Sequence, residues 1–342
     1  MSDPTQQWLA RLLDGDSLSE DEADGLMRAL TDDSLAPARA GALLAALRAK
    51  GETAAEIRGF ARAMRALALA PALPSGLAAV DVVGTGGDNS GSLNLSTGSA
   101  LLAAACGVPV VKHGNRSVSS HSGSADVLRE LGLPMPLDEA AAAACFEATG
   151  FTFLFAPHYH PAMKAVAPVR AALGVRTVFN VLGPLANPAS PPFHVIGAYS
   201  ADMARLMAAT LAGLPGKRAF VVHGEPGWDE ATPVGEFLLL DVRDGRVKEE
   251  LRQPEDYGLS RCAPEALAGG DAVHNAEAMR AVFSGADTGP HRDALALGVA
   301  LTLELTGRTE SPLAGIAMAE AAIDDGRAAA LLTALAGFGA GR

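Results

Sequence analysis

Apolar positions along this chain change their spacing near residue 77, and the change divides the sequence in two. Behind Thr53, the residues Ile57, Phe60, Met64 and Leu67 recur at the three- and four-residue intervals of one helix face. Capping-box pairs at Ser19 with Glu22 and at Thr53 with Glu56 open two helices, and Pro37 is placed to start another between them. Residues 1–72 therefore read as a helical unit, closed by the breaker run Pro71-Ala72-Leu73-Pro74-Ser75-Gly76. Beyond it, short β-branched runs alternate with longer alanine-rich ones. Strands are predicted over 79–83, 108–111, 151–156, 195–199 and 219–222, with helices over 96–106, 124–131, 162–173 and 201–214. Asp244-Gly245 between the runs 237–242 and 246–251 predicts a hairpin, and from residue 264 the chain is mostly alanine-rich helix. Strand and helix in alternation build a parallel sheet with right-handed crossovers. The expected fold class is α/β, with a small N-terminal α-helical domain and a large α/β domain over 77–342 whose central sheet is mainly parallel.

Composition fits that picture. Of 342 residues 49% are apolar but only 5% aromatic, and alanine is abundant, which favours closely packed helices over an all-β sandwich. No apolar run reaches the roughly 20 residues of a spanning helix. The start, Met1-Ser2-Asp3-Pro4-Thr5, lacks a basic segment followed by an apolar one, so a cytoplasmic location is expected and no membrane partner. Cys106, Cys145 and Cys262 stand far apart in alanine-rich surroundings and read as small core residues rather than a disulfide framework or metal knuckle. A formal net charge of −12 argues against nucleic acid as a partner. Any phosphate chemistry has to come from a focused basic pocket.

Such a pocket is written into three places. Asp81-Val82-Val83-Gly84-Thr85-Gly86-Gly87-Asp88 runs from a strand into a glycine-rich turn that permits close backbone approach to an anion, although its spacing is neither a P-loop nor a dinucleotide fingerprint. Asn94-Leu95-Ser96-Thr97 follows at a helix start, where hydroxyls and unpaired N–H groups suit a phosphate, or a metal through the Ser96 oxygen; helix capping is the competing reading. Lys112-His113-Gly114-Asn115-Arg116, continued by Ser117-Val118-Ser119-Ser120, reads as a phosphate-binding loop delivered at the carboxyl end of a strand. Asp229-Glu230 lies after another strand. Carboxylates beside a phosphate pocket repel the ligand unless hard cations lie between, and Mg²⁺ bridges the two. His158 and His160 could be half of a zinc site, but further ligands are not evident. Arg170, within a predicted helix, could grip a carboxylate bidentately or lie on the surface.

Taken in order, these motifs, together with Ser122-Gly123-Ser124-Ala125-Asp126 and residues 180–187, make the sequence similar to the anthranilate phosphoribosyltransferases, within the nucleoside phosphorylase-like transferases, over nearly its whole length. Two departures are visible: Ser92-Leu93-Asn94 stands where that family commonly has Thr-Phe-Asn, and Gly227-Trp228-Asp229-Glu230 where it has Gly-Leu-Asp-Glu. The resemblance implies transfer of a phosphoribosyl group from 5-phosphoribosyl 1-diphosphate (PRPP) to the amine of anthranilate, a step of tryptophan biosynthesis. It implies that Gly84, Gly87, Asp88, Ser92, Asn94, Leu95, Ser96 and Thr97, residues 112–120 (Lys112, His113, Gly114, Asn115, Arg116, Ser117, Val118, Ser119, Ser120) and Ser124 hold PRPP. Gly84, Asn115 and Arg170 would meet anthranilate, with His113, His158, Tyr159 and Pro184 walling its route. Ser96, Asp229 and Glu230 would hold Mg²⁺, two ions per subunit, while Lys112 and Arg170 would carry catalysis by stabilising leaving-group charge and orienting the acceptor. It also implies a homodimer joined through the N-terminal helices and the helix near 162–174. Two other readings are a pyrimidine nucleoside phosphorylase of the same fold and a catalytically silent nucleic-acid-binding paralogue.

Overall fold

The computed structural model describes residues 3–116 and 122–340. The chain opens with α1 (Pro4–Leu13), α2 (Glu20–Leu30), α3 (Pro37–Lys50) and α4 (Ala54–Ala66). Both expected capping boxes form: the Ser19 and Thr53 hydroxyls accept from the N–H groups of Glu22 and Glu56, whose carboxylates accept in return, and Pro37 occupies the first turn of α3. After the proline-rich break the order is β1 (Val80–Gly84), α5 (Leu95–Ala105), β2 (Val110–Gly114), α6 (Ser124–Glu130), α7 (Glu139–Thr149), β3 (Phe151–Phe155) and α8 (Ala156–Tyr159). Then come α9 (Met163–Leu173), α10 (Phe179–Leu182), β4 (Phe193–Gly197), α11 (Ala201–Ala212), β5 (Arg218–Gly224), β6 (Phe237–Arg243) and β7 (Arg246–Arg252). Helices α12 (Ala272–Phe283), α13 (Pro290–Leu305), α14 (Pro312–Asp324) and α15 (Arg327–Ala340) close the chain.

Two expectations needed correction. Helix α7 was not predicted, because Ala140 to Ala144 carry no polar contrast from which a face could be read. Lys112 and His113 belong to strand β2 and not to the loop behind it: their backbones pair in register with Phe153 and Leu154, and both side chains are buried. A charged residue inside a strand mimics a loop boundary when only apolar residues are counted.

The sheet has the order β3-β2-β1-β4-β5-β6-β7. Strands β1 to β5 are parallel, while β6 and β7 add an antiparallel edge, turned at Asp244 and Gly245, both with positive φ. The chain builds outward from β1 to β2 and β3, then returns to place β4 on the other side of β1. That reversal opens a crevice above the carboxyl ends of β1 and β4, where ligands bind in sheets of this kind. One face of the sheet is covered by α5, α6, α7 and α12 to α15 around a core of Leu101, Phe153, Phe220 and Leu297. The other face shares a core with the N-terminal helices, running from Leu26, Leu43 and Phe60 through Leu182 to Met207, Val221 and Leu240. Helix α9 lies against α3, with Val169 Cγ1 3.7 Å from where a Cβ on Gly41 would stand. It thereby borders both the helical unit and the crevice. The three cysteines form no disulfide; Cys145 is buried and the others are partly so.

Candidate active site

Strands β1, β2, β4 and β5 each end in glycine, at Gly84, Gly114, Gly197 and Gly224. Absent side chains let other segments fold down onto the strand ends: a Cβ at Gly84 would strike the Asp229 carboxylate, and one at Gly197 the Asp229 backbone. The result is a cleft of about 1040 Å³. Of the residues expected to bind, Gly84, Gly87, Asp88, Ser92, Asn94, Leu95, Ser96, Lys112, His113, Gly114, Asn115, Arg116, Ser124, Arg170, Asp229 and Glu230 line it. Thr97 lies just beneath, buried, its hydroxyl 3.0 Å from that of Ser124. Ser117, Val118, Ser119 and Ser120 fall outside the described residues. A second cavity of about 390 Å³ sits at the amino ends of the strands, lined by prolines and small residues with Lys217 as its sole titratable group. It has no matching chemistry.

The floor of the cleft is acidic. Asp229 Oδ2 accepts from Gly86 N at 2.6 Å and Asp229 N donates to Asp88 Oδ2 at 3.2 Å, while Glu230 Oε1 accepts from Ser96 N at 3.1 Å. Asn94 precedes α5 without a side-chain cap, so the exposed N–H of Ser96 is met by a carboxylate across the cleft and not by local capping. Burial, reinforced by the nearby charge of Asp88, pushes the Asp229 carboxyl up to about 7, and burial beside Asp229 raises Glu230 well above its ordinary range. Lys112 is 1% exposed beneath them, donating to the carbonyl of Val82 and, at 3.4 Å, to the Ser96 hydroxyl. Burial lowers its pKa, opposed by Asp81, Glu230 and Asp229. Asp81, raised to about 6 by burial, accepts from His113 N at 3.2 Å and from Asn187 Nδ2 at 2.8 Å, which ties β1 to β2 under the lysine.

On the far wall, Arg170 in the last turn of α9 stacks over Phe179 at 4.9 Å, and burial lowers its pKa. His113 Nδ1 lies 3.0 Å from the Gly183 carbonyl and its Nε2 3.2 Å from His160 Nε2. Burial depresses both rings, to about 3 and about 4, so they are neutral. His160 is turned toward His113 while His158 packs on Tyr159, and no group of three His, Cys, Asp or Glu among the described residues is arranged to hold a metal. The zinc reading of the histidine pair has no support. His158, Tyr159 and Pro184 do not line the cleft, the last two being buried. Both departures are buried in the same core, Leu93 also bordering the cleft and Trp228 lying behind it.

Two family models match, the glycosyl transferase family helical bundle domain over residues 6–68 and its a/b domain over 76–329. An anthranilate phosphoribosyltransferase of Azorhizobium caulinodans is 49% identical over 289 residues, 84% of this chain and 83% of its own. The chain belongs to the anthranilate phosphoribosyltransferase family. The enzyme of that name from Thermus thermophilus superposes with a TM-score of 0.90 at 44% identity, covering 97% of this chain and 98% of its own. The Saccharomyces cerevisiae anthranilate phosphoribosyltransferase, solved in complex with PRPP and Mg, gives 0.90 at 27% identity over 100% and 99%.

Several members of the cleft were missed from the sequence. Arg176 and Tyr199 line it, as does Asn275, which donates through Nδ2 to Asn94 Oδ1 at 2.7 Å; Asn180, within the 180–187 motif, lines it as well. Asn275 comes from α12, nearly 200 positions beyond the glycine turn, and nothing local marks it. The strand-terminal glycines were the available signal, since a β-branched run ending in glycine four times over points to a shared floor.

Proposed function

We propose that this cleft transfers the 5-phosphoribosyl group of PRPP to the amine of anthranilate, giving N-(5-phosphoribosyl)anthranilate and diphosphate. The observation that carries the reading is the juxtaposition, in one crevice, of a glycine turn, a buried carboxylate pair and a desolvated arginine on the opposite wall. The anthranilate nitrogen attacks C1, the bond from C1 to the diphosphate oxygen breaks with its electron pair leaving on diphosphate, and the amine proton is released. An aryl amine is uncharged near neutral pH, so no side chain need remove a proton first. The chain's task is positioning and charge balance.

Mg²⁺ fits the residues present: Asp229, Glu230 and the Ser96 hydroxyl form an oxygen-only set, and burial raises both carboxyls even though the charge of Lys112 opposes the rise at Glu230. Magnesium characteristically uses one or two protein carboxylates and completes its shell with phosphate oxygens and water, so a larger protein cage is not required. When bound, two ions per subunit would neutralise diphosphate charge. Gly84, Gly87, Asp88, Ser92, Asn94, Leu95, Thr97, His113, Gly114, Arg116, Ser117, Val118, Ser119, Ser120 and Ser124 form the donor half in this reading. Lys112, held by Val82 and Ser96, acts through the carboxylates and the serine from below. Arg170 holds the anthranilate carboxylate, with Asn115 and Gly84 beside the ring, so that the amine faces C1. We place the unit boundary within residues 73–76, with α9 counted beside the helical unit, and expect a cytoplasmic homodimer joined through the N-terminal helices.

The reaction is followed by loss of anthranilate fluorescence on addition of PRPP and Mg²⁺. Quenching that needs all three components is expected. Phosphorolysis of thymidine or uridine without metal, and no quenching, would overturn the assignment.

A further inference from the structure

Arg176 is a cation of the cleft for which the transfer reaction has so far needed no role. It follows Gly174, whose left-handed backbone (φ 62°) ends α9, and precedes α10, so it lies in the segment between Arg170 and Asn180. Its side chain leaves that acceptor-side segment and crosses to the donor side. Nη2 donates to the carbonyl of Gly87 at 2.5 Å, and the guanidinium carbon sits 4.7 Å over the Tyr199 ring. Tyr199 is itself bound to the same turn, its N–H donating to Thr85 Oγ1 at 3.2 Å. Gly87 has φ 77°, and a Cβ there would stand 2.9 Å from Arg176 Cζ, so the turn is shaped to admit the guanidinium at that point. A planar, stacked guanidinium holds one geometry more firmly than a flexible ammonium, and with one N–H spent on Gly87 its others are not committed to that bond.

We propose that Arg176 is a positioning residue that straps the glycine turn to the acceptor-side segment, so that filling the donor half of the cleft with a diphosphate group organises the other half for an aromatic carboxylate. The inference rests on the transferase reading of the site. A free turn could settle around its ligand without disturbing Arg170. A strapped turn carries the α9–α10 connector with it, and linkage makes the effect reciprocal.

The test is equilibrium binding of anthranilate to the whole protein, by its fluorescence, with and without saturating pyrophosphate and Mg²⁺, a combination that fills the donor half without turnover. In the wild type, magnesium pyrophosphate tightens anthranilate binding about fivefold or more, and anthranilate tightens pyrophosphate by the same factor. Arg176→Gln brings both factors to about one while each separate affinity moves by less than about threefold. Arg176→Lys, keeping charge without the planar stack, gives an intermediate factor. Should Arg176→Gln fail to fold, Tyr199→Leu removes the stacking surface and reads the same quantity. A wild-type factor of one, or a wild-type factor retained in the variants, overturns the strap. Wild-type protein that binds neither ligand contradicts the transferase reading beneath it.

Discussion

Glu56 in the helical unit and Asp229 at the strand ends are both carboxylates folded almost out of water, at 0% and 7% exposure. Glu56 accepts from Leu18 N at 2.9 Å, from the N–H and hydroxyl of Thr53 at 2.8 and 2.9 Å, and from Lys50 Nζ at 2.9 Å. Asp229 accepts from Gly86 N at 2.6 Å and is crowded by the charges of Asp88 and Glu230, while the nearby Lys112 spends its hydrogen bonds on Val82 and Ser96. A buried charge is tolerated when its lone pairs and its field are both answered, and is costly otherwise. Glu56 is answered from within the chain and ties Leu18, just ahead of α2, and Lys50, at the end of α3, to α4. Asp229 is answered less fully, by one backbone N–H and by a Lys112 charge that it shares with Glu230 and Asp81.

Substitutions at the two sites should therefore separate activity from stability. Replacing the acids at the strand ends, Asp229→Asn with Glu230→Gln, lowers kcat/KM about a thousandfold or more in the fluorescence assay, the scale of losing several kcal/mol of transition-state charge stabilisation. Glu56→Gln should do the opposite, costing about 3 kcal/mol in chemical denaturation with turnover at 25 °C nearly unchanged, because it strands Lys50 beside a neutral group. If Glu56→Gln abolished turnover without loss of stability, the comparison would break.

Much of this division was legible in the chain. The capping boxes, the proline break and the β-branched runs placed most elements, because each rests on short-range chemistry that local spacing records. Helix α7 escaped because an alanine run has no face, and β2 was cut short because Lys112 is a charge buried in mid-strand for reasons that lie on other strands. At the site, the glycine turn, Lys112 and Asp229-Glu230 were readable as motifs. Arg176 and Asn275 were not, since each is defined by a partner about 90 to 180 positions away.

Smaller effects sharpen the contrast further. Arg170→Ala should raise the KM for anthranilate about a hundredfold and leave that for PRPP within a few-fold, as expected when one half of a desolvated charge pair is truncated. Stability of the metal-free protein should fall between about pH 4 and pH 7. Folded Asp229 keeps its proton to about 7 while the unfolded chain releases it near 4, so over that window the native state binds more protons and loses stability as pH rises. Mg²⁺ should accordingly raise the melting midpoint by a few degrees more at pH 8 than at pH 5.5, as scanning calorimetry would register.

The claim that the strand-end acids are held for an external cation is tested most directly by the melting midpoint of metal-free Asp229→Asn at pH 8, measured beside its turnover. The account predicts a midpoint equal to or above that of the wild type, with turnover lost. A midpoint several degrees lower, with turnover retained, would contradict it and make Asp229 a structural acid like Glu56.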